Sequence, residues 1–396
     1  MEIYKDRTWA EISLDNIEHN VQVIKNKVGK NVQTMWVVKA DAYGHGAVEV
    51  SQAIERMGAD YFAVATIDEA IYLRHNDIKT PILVLSNLAT KRIKEIVEND
   101  ITVSVFSVDE CQQLSKEAME LGGVAKVHIA LDTGMGRVGI RAYDDCYVQE
   151  AVSGVKQIIA MPGLLAEGIF THFATADEEN SDYTMRQYRL FRCVVDMVRQ
   201  EKLPKGVLRL AHCANSASII RYPQTYMDMV RAGIILYGLN PSEYMKNFNF
   251  DIKPVMTVKS RITLVKKIEK NLSLSYGLTF EAKCGSHIAT VPIGYADGYR
   301  RVLSNKASLL FNGRTVPVRG RVCMDQLMID VTELVESGVE VRPGDIVEVF
   351  GENEINADSI ADLCDTINYD ITSGISNRVP RIYIERNKPN RYRGII

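Results

Sequence analysis

One lysine stands where a lysine is chemically conspicuous. In the run Val37-Val38-Lys39-Ala40-Asp41-Ala42-Tyr43-Gly44-His45-Gly46 it directly follows an apolar stretch. An ammonium carried into apolar surroundings is costly unless its pKa falls or the nitrogen is consumed in an imine. Such a lysine suits Schiff-base or general-base work, whereas a solvated lysine at the rim of a sheet is the plainer reading of the position by itself. The other chemistry-bearing residues are dispersed. Seven cysteines (Cys111, Cys146, Cys193, Cys213, Cys284, Cys323 and Cys364) form no CxxC pair and are odd in number. That argues against a disulfide framework or a zinc site and for reduced, packed thiols. The seven histidines include no helical HxxxH pair, so no metal centre is expected.

The elements that must position Lys39 read as alternating strands and helices. Short apolar, β-branched runs occur at Val37–Ala40, Tyr61–Thr66, Ile82–Ser86, Ile101–Phe106, Val127–Leu131, Leu165–His172, Leu208–Ala211 and Ile234–Gly238. Between them lie stretches with apolar residues at i, i+3 and i+4, such as Val48–Met57, Val108–Leu121 and Met185–Glu201. Eight such alternations predict an α/β fold, an N-terminal (β/α)8 TIM barrel, with Lys39 at the C-terminal strand end where barrels open their active face. After Pro254 the pattern becomes strand-like alternation without long helices: Met256–Leu264, Ser273–Phe280, His287–Ile293, Ala307–Phe311, Thr315–Arg321, Leu327–Val331 and Ile346–Phe350. Turns are expected at Asn312-Gly313 and Pro343-Gly344-Asp345. A late helix at Ala357–Ile367 precedes a closing strand at Ile382–Glu385. The expected organisation is a barrel over residues 1–242 and a mainly antiparallel β domain over residues 243–396, joined near Asn240-Pro241-Ser242.

Size and charge narrow the function class. The 396 residues, 46% hydrophobic and 24% charged, can bury a sizeable core. A formal net charge of -3 gives no basic excess for a nucleic-acid backbone or an anionic bilayer, so neither is an expected partner. Met1 to Trp9 carry charges and no apolar run, and no stretch approaches a membrane span, so the expected location is cytoplasmic.

The lysine segment VVKADAYGHG resembles the pyridoxal-phosphate lysine motif of bacterial alanine racemases. Further matching segments follow in that family's order: LDTGMGRVG (Leu131 to Gly139), THFATAD (Thr171 to Asp177), HCANSAS (His212 to Ser218), VRAGIILYG (Val230 to Gly238), LSYG (Leu274 to Gly277), PIGYADGY (Pro292 to Tyr299), GRVCMDQ (Gly320 to Gln326) and NYD (Asn368 to Asp370). Singly each is weak; eight in order are specific.

The resemblance implies a pyridoxal 5'-phosphate enzyme, a homodimer with active sites shared between subunits, that interconverts L- and D-alanine and supplies D-alanine for peptidoglycan. Lys39 would carry the cofactor as an imine. Tyr43, Ser216 beside Asn215, Tyr369 and the amides of Gly233 and Ile234 would bind its phosphate. Arg231 would face the pyridine nitrogen, donating a hydrogen bond without protonating the ring, which weakens the electron sink and suppresses side reactions. Racemisation needs a proton removed from one face of Cα and returned to the other. Lys39 would serve one face, and Tyr276 of the partner subunit the other, its phenolate favoured by His172 and Arg231. Arg137 and the amide of Met324 would grip the substrate carboxylate, and Tyr295, Asp177, Arg301, Arg321, Ile367 and Arg381 would line a narrow approach.

One position departs from the family pattern. Many members carry a carbamylated lysine two residues before the Asp-Thr-Gly-Met-Gly-Arg segment, where its charge orients the carboxylate-binding arginine. Here that position is Ala130, so no carbamate can form, and Asp132 is the neighbouring acid. A decarboxylase of the same fold would want a glycine-rich phosphate loop and a carboxylate at the ring nitrogen, and a single-domain pyridoxal-phosphate carrier would lack the β domain. A serine or broad-specificity racemase is the closer alternative.

Overall fold

A computed structural model describes residues 5–86, 92–386 and 388–393. Residues 1–4 of the N-terminal stretch read above therefore lie outside the described residues. The chain divides into two units, one of residues 18–40 and 47–252, the other of residues 1–17, 41–46 and 253–396.

In the first unit eight parallel strands stand side by side: β2 (Gln33–Val37), β3 (Tyr61–Val64), β4 (Ile82–Val84), β5 (Ile101–Val105), β6 (Ala125–Asp132), β8 (Leu164–Phe170), β9 (Leu210–His212) and β10 (Met229–Ala232). A two-residue strand, β7 (Ile140–Arg141), pairs beside β6. The order runs β10-β2-β3-β4-β5-β6-β8-β9, with Arg231 opposite Met35 and Met35 opposite Tyr61. Between β9 and β10 the gap is bridged by Asp228 N–H to the Ala211 carbonyl at 3.1 Å and Arg231 N–H to the Ala214 carbonyl at 2.9 Å. The result is a nearly closed TIM-type barrel. Its strands are buried on both faces, as the continuous apolar runs require. Helices at Ala47–Arg56, Val108–Glu120 and Asp182–Arg199 bury one stripe each.

Two strand assignments from sequence shift. The first barrel strand ends at Val37, so Lys39 lies just past it and not within it. The eighth is Met229–Ala232, and Ile234–Tyr237 is a 3-10 turn. Gly233 and Ile234 therefore follow the last strand and do not precede it. An apolar run with a glycine at each end satisfies a buried turn as well as a buried strand, and periodicity does not separate the two.

The second unit is a ten-stranded, mostly antiparallel sheet. Its central strands are β11 (Met256–Arg261), flanked by β19 (Ile346–Phe350), and β1 (Thr8–Ser13), flanked by β20 (Arg381–Glu385). Thr8 pairs opposite Ser260, antiparallel, while Ala10 pairs opposite Arg381, parallel. Hydrogen bonding thus gives the first strand of the sequence to the β unit, which the division at residue 242 did not anticipate. Burial alternates along Met256–Arg261, the signature of a sheet with one covered face. Asn312 and Gly313 have φ of 48° and 75° and join β16 (Ser308–Phe311) to β17 (Arg314–Arg319), the two left-handed positions of a tight hairpin. Ser273–Phe280, expected as one strand, is a hairpin instead: β13 (Leu272–Leu274) and β14 (Phe280–Ala282) flank a loop carrying Tyr276. The expected late helix is two, Ala357–Leu363 and Asn368–Ser373.

Candidate active site

Lys39 sits past the C-terminal end of β2, the end at which barrels do chemistry. Its pKa is lowered, by burial first and then by the charge of Arg137, with Arg231 adding to it and the Glu69 carboxylate opposing. The amine is thereby moved toward the neutral, nucleophilic form. The following residues Ala40, Asp41, Ala42 and Tyr43 all take left-handed backbone, with φ of 52°, 53°, 55° and 53°. None is glycine, and left-handed backbone costs such residues about 1–2 kcal/mol each. Strain of this kind persists only where the surroundings impose it.

Glu69 is one of those surroundings. One of its carboxylate oxygens accepts from Ala40 N–H at 2.7 Å, the other from Ala65 N–H at 2.7 Å and Thr66 N–H at 3.1 Å. The same residue closes a capping box with Thr66 at the helix Ile67–His75. It ties the backbone after β2 to the end of β3 and faces Lys39 with a negative charge. The Thr-x-x-Glu pattern at Thr66–Glu69 was the available signal for it.

Arg231, on β10, is 5% exposed. Nη1 donates to His212 Nδ1 at 2.9 Å and to the His212 carbonyl at 3.0 Å. Nη2 donates to the Thr171 carbonyl at 2.8 Å, to His172 Nδ1 at 3.0 Å and to the Cys213 carbonyl at 3.4 Å. Both terminal nitrogens are spent on protein acceptors, and among the described residues none takes the Nε proton. Burial, helped by Arg137, brings its pKa down to about 10, so it stays a cation at neutral pH. Phe170 lies 5.6 Å under the guanidinium and stacks on His212 at 5.1 Å. Burial, then the charges of Arg231, Arg137 and Lys39, hold His172 well below its ordinary pKa, leaving a neutral imidazole. Since Arg231 can only donate, His172 Nδ1 must accept, and the His172 proton sits on Nε2.

Ser216 opens the helix Ser216–Arg221, and Asn215 caps it by accepting from Ser218 N–H at 3.0 Å. Ser216 Oγ accepts from Gly233 N–H at 3.0 Å, which brings the turns after β9 and β10 together. Ile234 begins the 3-10 turn Ile234–Tyr237, so its N–H is one of the donors such a start leaves without an internal partner. Hydroxyl and amide donors converging after strands seven and eight suit a phosphate dianion.

Arg137 is exposed and, among the described residues, meets no carboxylate. Its loop is folded by Asp132, which accepts from Gly134 N–H and Gly136 N–H at 3.0 Å each. Ala130 is buried.

In the β unit, the rings of Tyr43 and Tyr369 lie 5.9 Å apart. Tyr276 is 70% exposed, in a loop where Ser275, Gly277 and Leu278 have φ of 61°, 72° and 50°. Ser275 Oγ donates to the Arg321 carbonyl at 2.6 Å and lies 3.4 Å from Cys323 Sγ, tying this loop to the segment before Met324. Met324 is 53% exposed, and Tyr295, Arg301 and Ile367 are exposed as well. Arg301 and Arg321 line one cavity with Thr279 and Lys306. Arg381 differs from the expectation of a channel-lining residue. It is 3% exposed, with its guanidinium on the carbonyls of Gly44, Ile375, Ser376 and Val379, each within 3.0 Å. A guanidinium surrounded by backbone carbonyls is a clamp on the segment Gly44 belongs to.

Residues 12–241 match the model of the alanine racemase N-terminal domain and residues 255–383 that of the C-terminal domain. An alanine racemase of Desulforamulus reducens is 42% identical over 380 residues, covering 96% of this chain and all of the relative. Among solved structures, alanine racemase of Clostridium difficile 630 superposes with a TM-score of 0.92 at 38% identity, covering 98% of both chains. One from Bacillus anthracis with bound L-Ala-P gives 0.88 at 37%, covering 99% of this chain and 98% of that one. No described helix is long and apolar enough to cross a membrane.

Proposed function

The chain belongs to the alanine racemase family, and from that premise we propose that it interconverts L-alanine and D-alanine as a pyridoxal 5'-phosphate enzyme, in the cytoplasm, supplying D-alanine for peptidoglycan. The observation that carries the reading is Lys39 past a barrel strand end, its ammonium disfavoured by burial and by Arg137 and Arg231. The related racemase with bound L-Ala-P supports alanine as the substrate.

The residues present fit the cofactor. Lys39 supplies the amine that holds it; the Ser216 hydroxyl and the Ile234 N–H, with Asn215 shaping the turn and Tyr43 and Tyr369 adding hydroxyls, supply donors for its phosphate, and the Gly233 N–H joins them by leaving Ser216 Oγ, to which it donates here. Arg231 keeps an Nε proton for the ring nitrogen. When bound, pyridoxal phosphate supplies an electrophilic carbonyl and an electron-withdrawing ring that acidify the substrate Cα proton. Arg137 then grips the carboxylate, joined by the Met324 amide of the partner subunit, and fixes which face of Cα meets which base. Lys39 Nζ takes or returns the proton on one face. The phenol oxygen of the partner subunit's Tyr276 does so on the other, with the neutral His172 donating from Nε2. A homodimer with shared sites is supported by the exposure of Tyr276 and Met324, both useless at an open surface.

The test is direct. Purified protein is expected to be yellow, with borohydride fixing the pyridoxyl group on Lys39, and to form D-alanine from L-alanine at higher kcat/KM than D-serine from L-serine. A pocket that merely tolerates one more hydroxyl discriminates by roughly a hundredfold at best. A Lys39→Ala protein with full activity, or serine preferred over alanine, overturns the reading.

A further inference from the structure

A line of buried polar groups runs through the barrel away from Arg231. His212, which accepts from Arg231 at Nδ1, places its Nε2 2.8 Å from His128 Nδ1. His128 Nε2, buried and without a hydrogen-bond partner among the described residues, faces the Glu167 carboxylate at 3.6 Å, a charge–dipole contact longer than a hydrogen bond. The same Glu167 oxygen accepts from Tyr61 at 2.7 Å and Thr102 at 3.2 Å, and its other oxygen from Arg209 at 3.1 Å. Tyr61, Thr102, His128, Glu167 and His212 are all buried; Arg209, half-exposed, closes the far end.

The backbone is shaped for this line. Successive residues of a regular strand point to opposite faces. The ladder between β6 and β8 pairs Val127 with Ala166 and then His128 with Gly168, leaving Glu167 as an extra residue, a bulge. Glu167 and Gly168 consequently address the same imidazole: a Cβ on Gly168 would stand 2.6 Å from the His128 ring. A side chain is re-aimed, and its neighbour is kept without one, to seat a histidine against a carboxylate.

We propose that Glu167 is a positioning residue for the racemisation, acting through His128 and His212 to fix the tautomers of both rings and the orientation in which Arg231 donates. The logic is one of direction. A guanidinium cannot accept, so His212 must present a bare Nδ1 and carry its proton on Nε2. That proton requires a bare Nδ1 on His128, whose own proton then sits on Nε2 and faces Glu167. Every donor points away from Arg231 and toward the carboxylate: a hydrogen bond from Arg231 to His212, one from His212 to His128, and then the His128 N–H dipole aimed at the Glu167 charge. Reversing either ring would set two N–H groups against each other at Arg231 or turn a lone pair toward the carboxylate. Burial holds both imidazoles neutral, and at Glu167 the contacts from His128, Tyr61 and Arg209 outweigh burial and keep the carboxyl ionised.

This inference rests on the reading of Arg231 as the ring-nitrogen partner, and the experiment separates the two. Histidine labelled with nitrogen-15 is observed in the cofactor-loaded enzyme. Wild type is expected to show His128 and His212 each as a single neutral tautomer protonated at Nε2. Glu167→Gln offers an amide donor as well as an acceptor and is expected to abolish the single tautomer. Its kcat should fall ~10–100-fold, the cost of losing the orienting partner of a functional imidazole, with the alanine KM within about twofold. Glu167→Asp should recover part of both. An Nδ1-protonated or doubly protonated His212 in wild type overturns the proposal whether or not any variant folds. So does a Glu167→Gln enzyme with unchanged tautomers, or one whose kcat falls only in step with lost cofactor. Absent racemase activity or pyridoxal absorbance in wild type would instead count against the proposed function and leave the tautomer result standing.

Discussion

Lys39 is held between opposing influences. Burial lowers its pKa, Arg137 and Arg231 push the same way, and Glu69 alone pulls upward. Glu69 thus has two tasks, an electrostatic one on the amine and a backbone one through Ala40 N–H. Glu69→Gln removes the charge and keeps one acceptor oxygen, enough for Ala40 N–H or for Ala65 and Thr66 N–H but not for both, so the titration of the amine is what reads the electrostatic task. Without the carboxylate the ammonium loses its one stabilising neighbour, so the Lys39 amine should titrate at lower pH than in wild type. Acylation of Lys39 in cofactor-free protein, followed against pH, measures this. A midpoint that moves up, or stays, would mean that Glu69 acts on the backbone only. At this scale the residues to which the proposed chemistry falls, Lys39, Arg137, Arg231 and Tyr276, stand out in the sequence because they sit in motifs long enough to be specific. Glu69, His128 and Glu167 were missed. A capping-box glutamate is ordinary by type, and a buried histidine or glutamate inside a strand carries no sign in one sequence of which way the strand turns it.

At the scale of elements, the segment after β2 concentrates strain next to the amine. Four successive non-glycine residues take left-handed backbone, each disfavoured by its Cβ. Strand-like reading of Val37–Ala40 failed for this reason: nothing in Lys-Ala-Asp-Ala-Tyr marks the hand of a turn that tertiary contacts impose. The eighth strand was misplaced by a related ambiguity, since Ile234–Gly238 is as apolar as Met229–Ala232 and both are buried. The strain at Ala40 can be tested with little confusion from packing, because that residue is exposed. Ala40→Gly removes the offending Cβ at a cost of about 0.5–1 kcal/mol in chain entropy, so folded stability should hold or rise by up to about 1.5 kcal/mol. Ala40→Val adds a branched Cβ at the same φ and should lose at least about 1 kcal/mol. Urea midpoints give the order. Glycine below valine would show that the left-handed run is unstrained. The glycine variant should nonetheless have a lower kcat, because a looser backbone places Lys39 less well.

The molecule as a whole is two units whose chain segments interleave. The strand Thr8–Ser13 and the segment of residues 41–46 belong with the β unit, although both lie within the first fifty residues. Sequence order suggested a clean cut at residue 242 because a strand's partners, here β11 and β20, are set by pairing across more than two hundred residues, which local pattern does not encode. The β unit also carries the groups whose exposure is hardest to explain in one chain. Tyr276 and Leu278 stand 70% and 68% exposed, and Met324 53%. In the proposed homodimer, Lys39 of one subunit works with Tyr276 of the other, and this has a consequence that a site built within one chain does not share. Lys39→Ala and Tyr276→Phe should each be inactive alone. In a mixed dimer, one site receives both substitutions and the other receives neither, because its Lys39 comes from the Tyr276→Phe chain and its Tyr276 from the Lys39→Ala chain. With equal amounts and random exchange, half the dimers are mixed and each has one intact site of two, so activity per chain should recover to about a quarter of wild type. Native mass spectrometry of differently tagged chains would establish the exchange. Mixed dimers without activity would place Lys39 and Tyr276 in the same chain's site, and activity in either unmixed variant would remove that residue from the pair of bases.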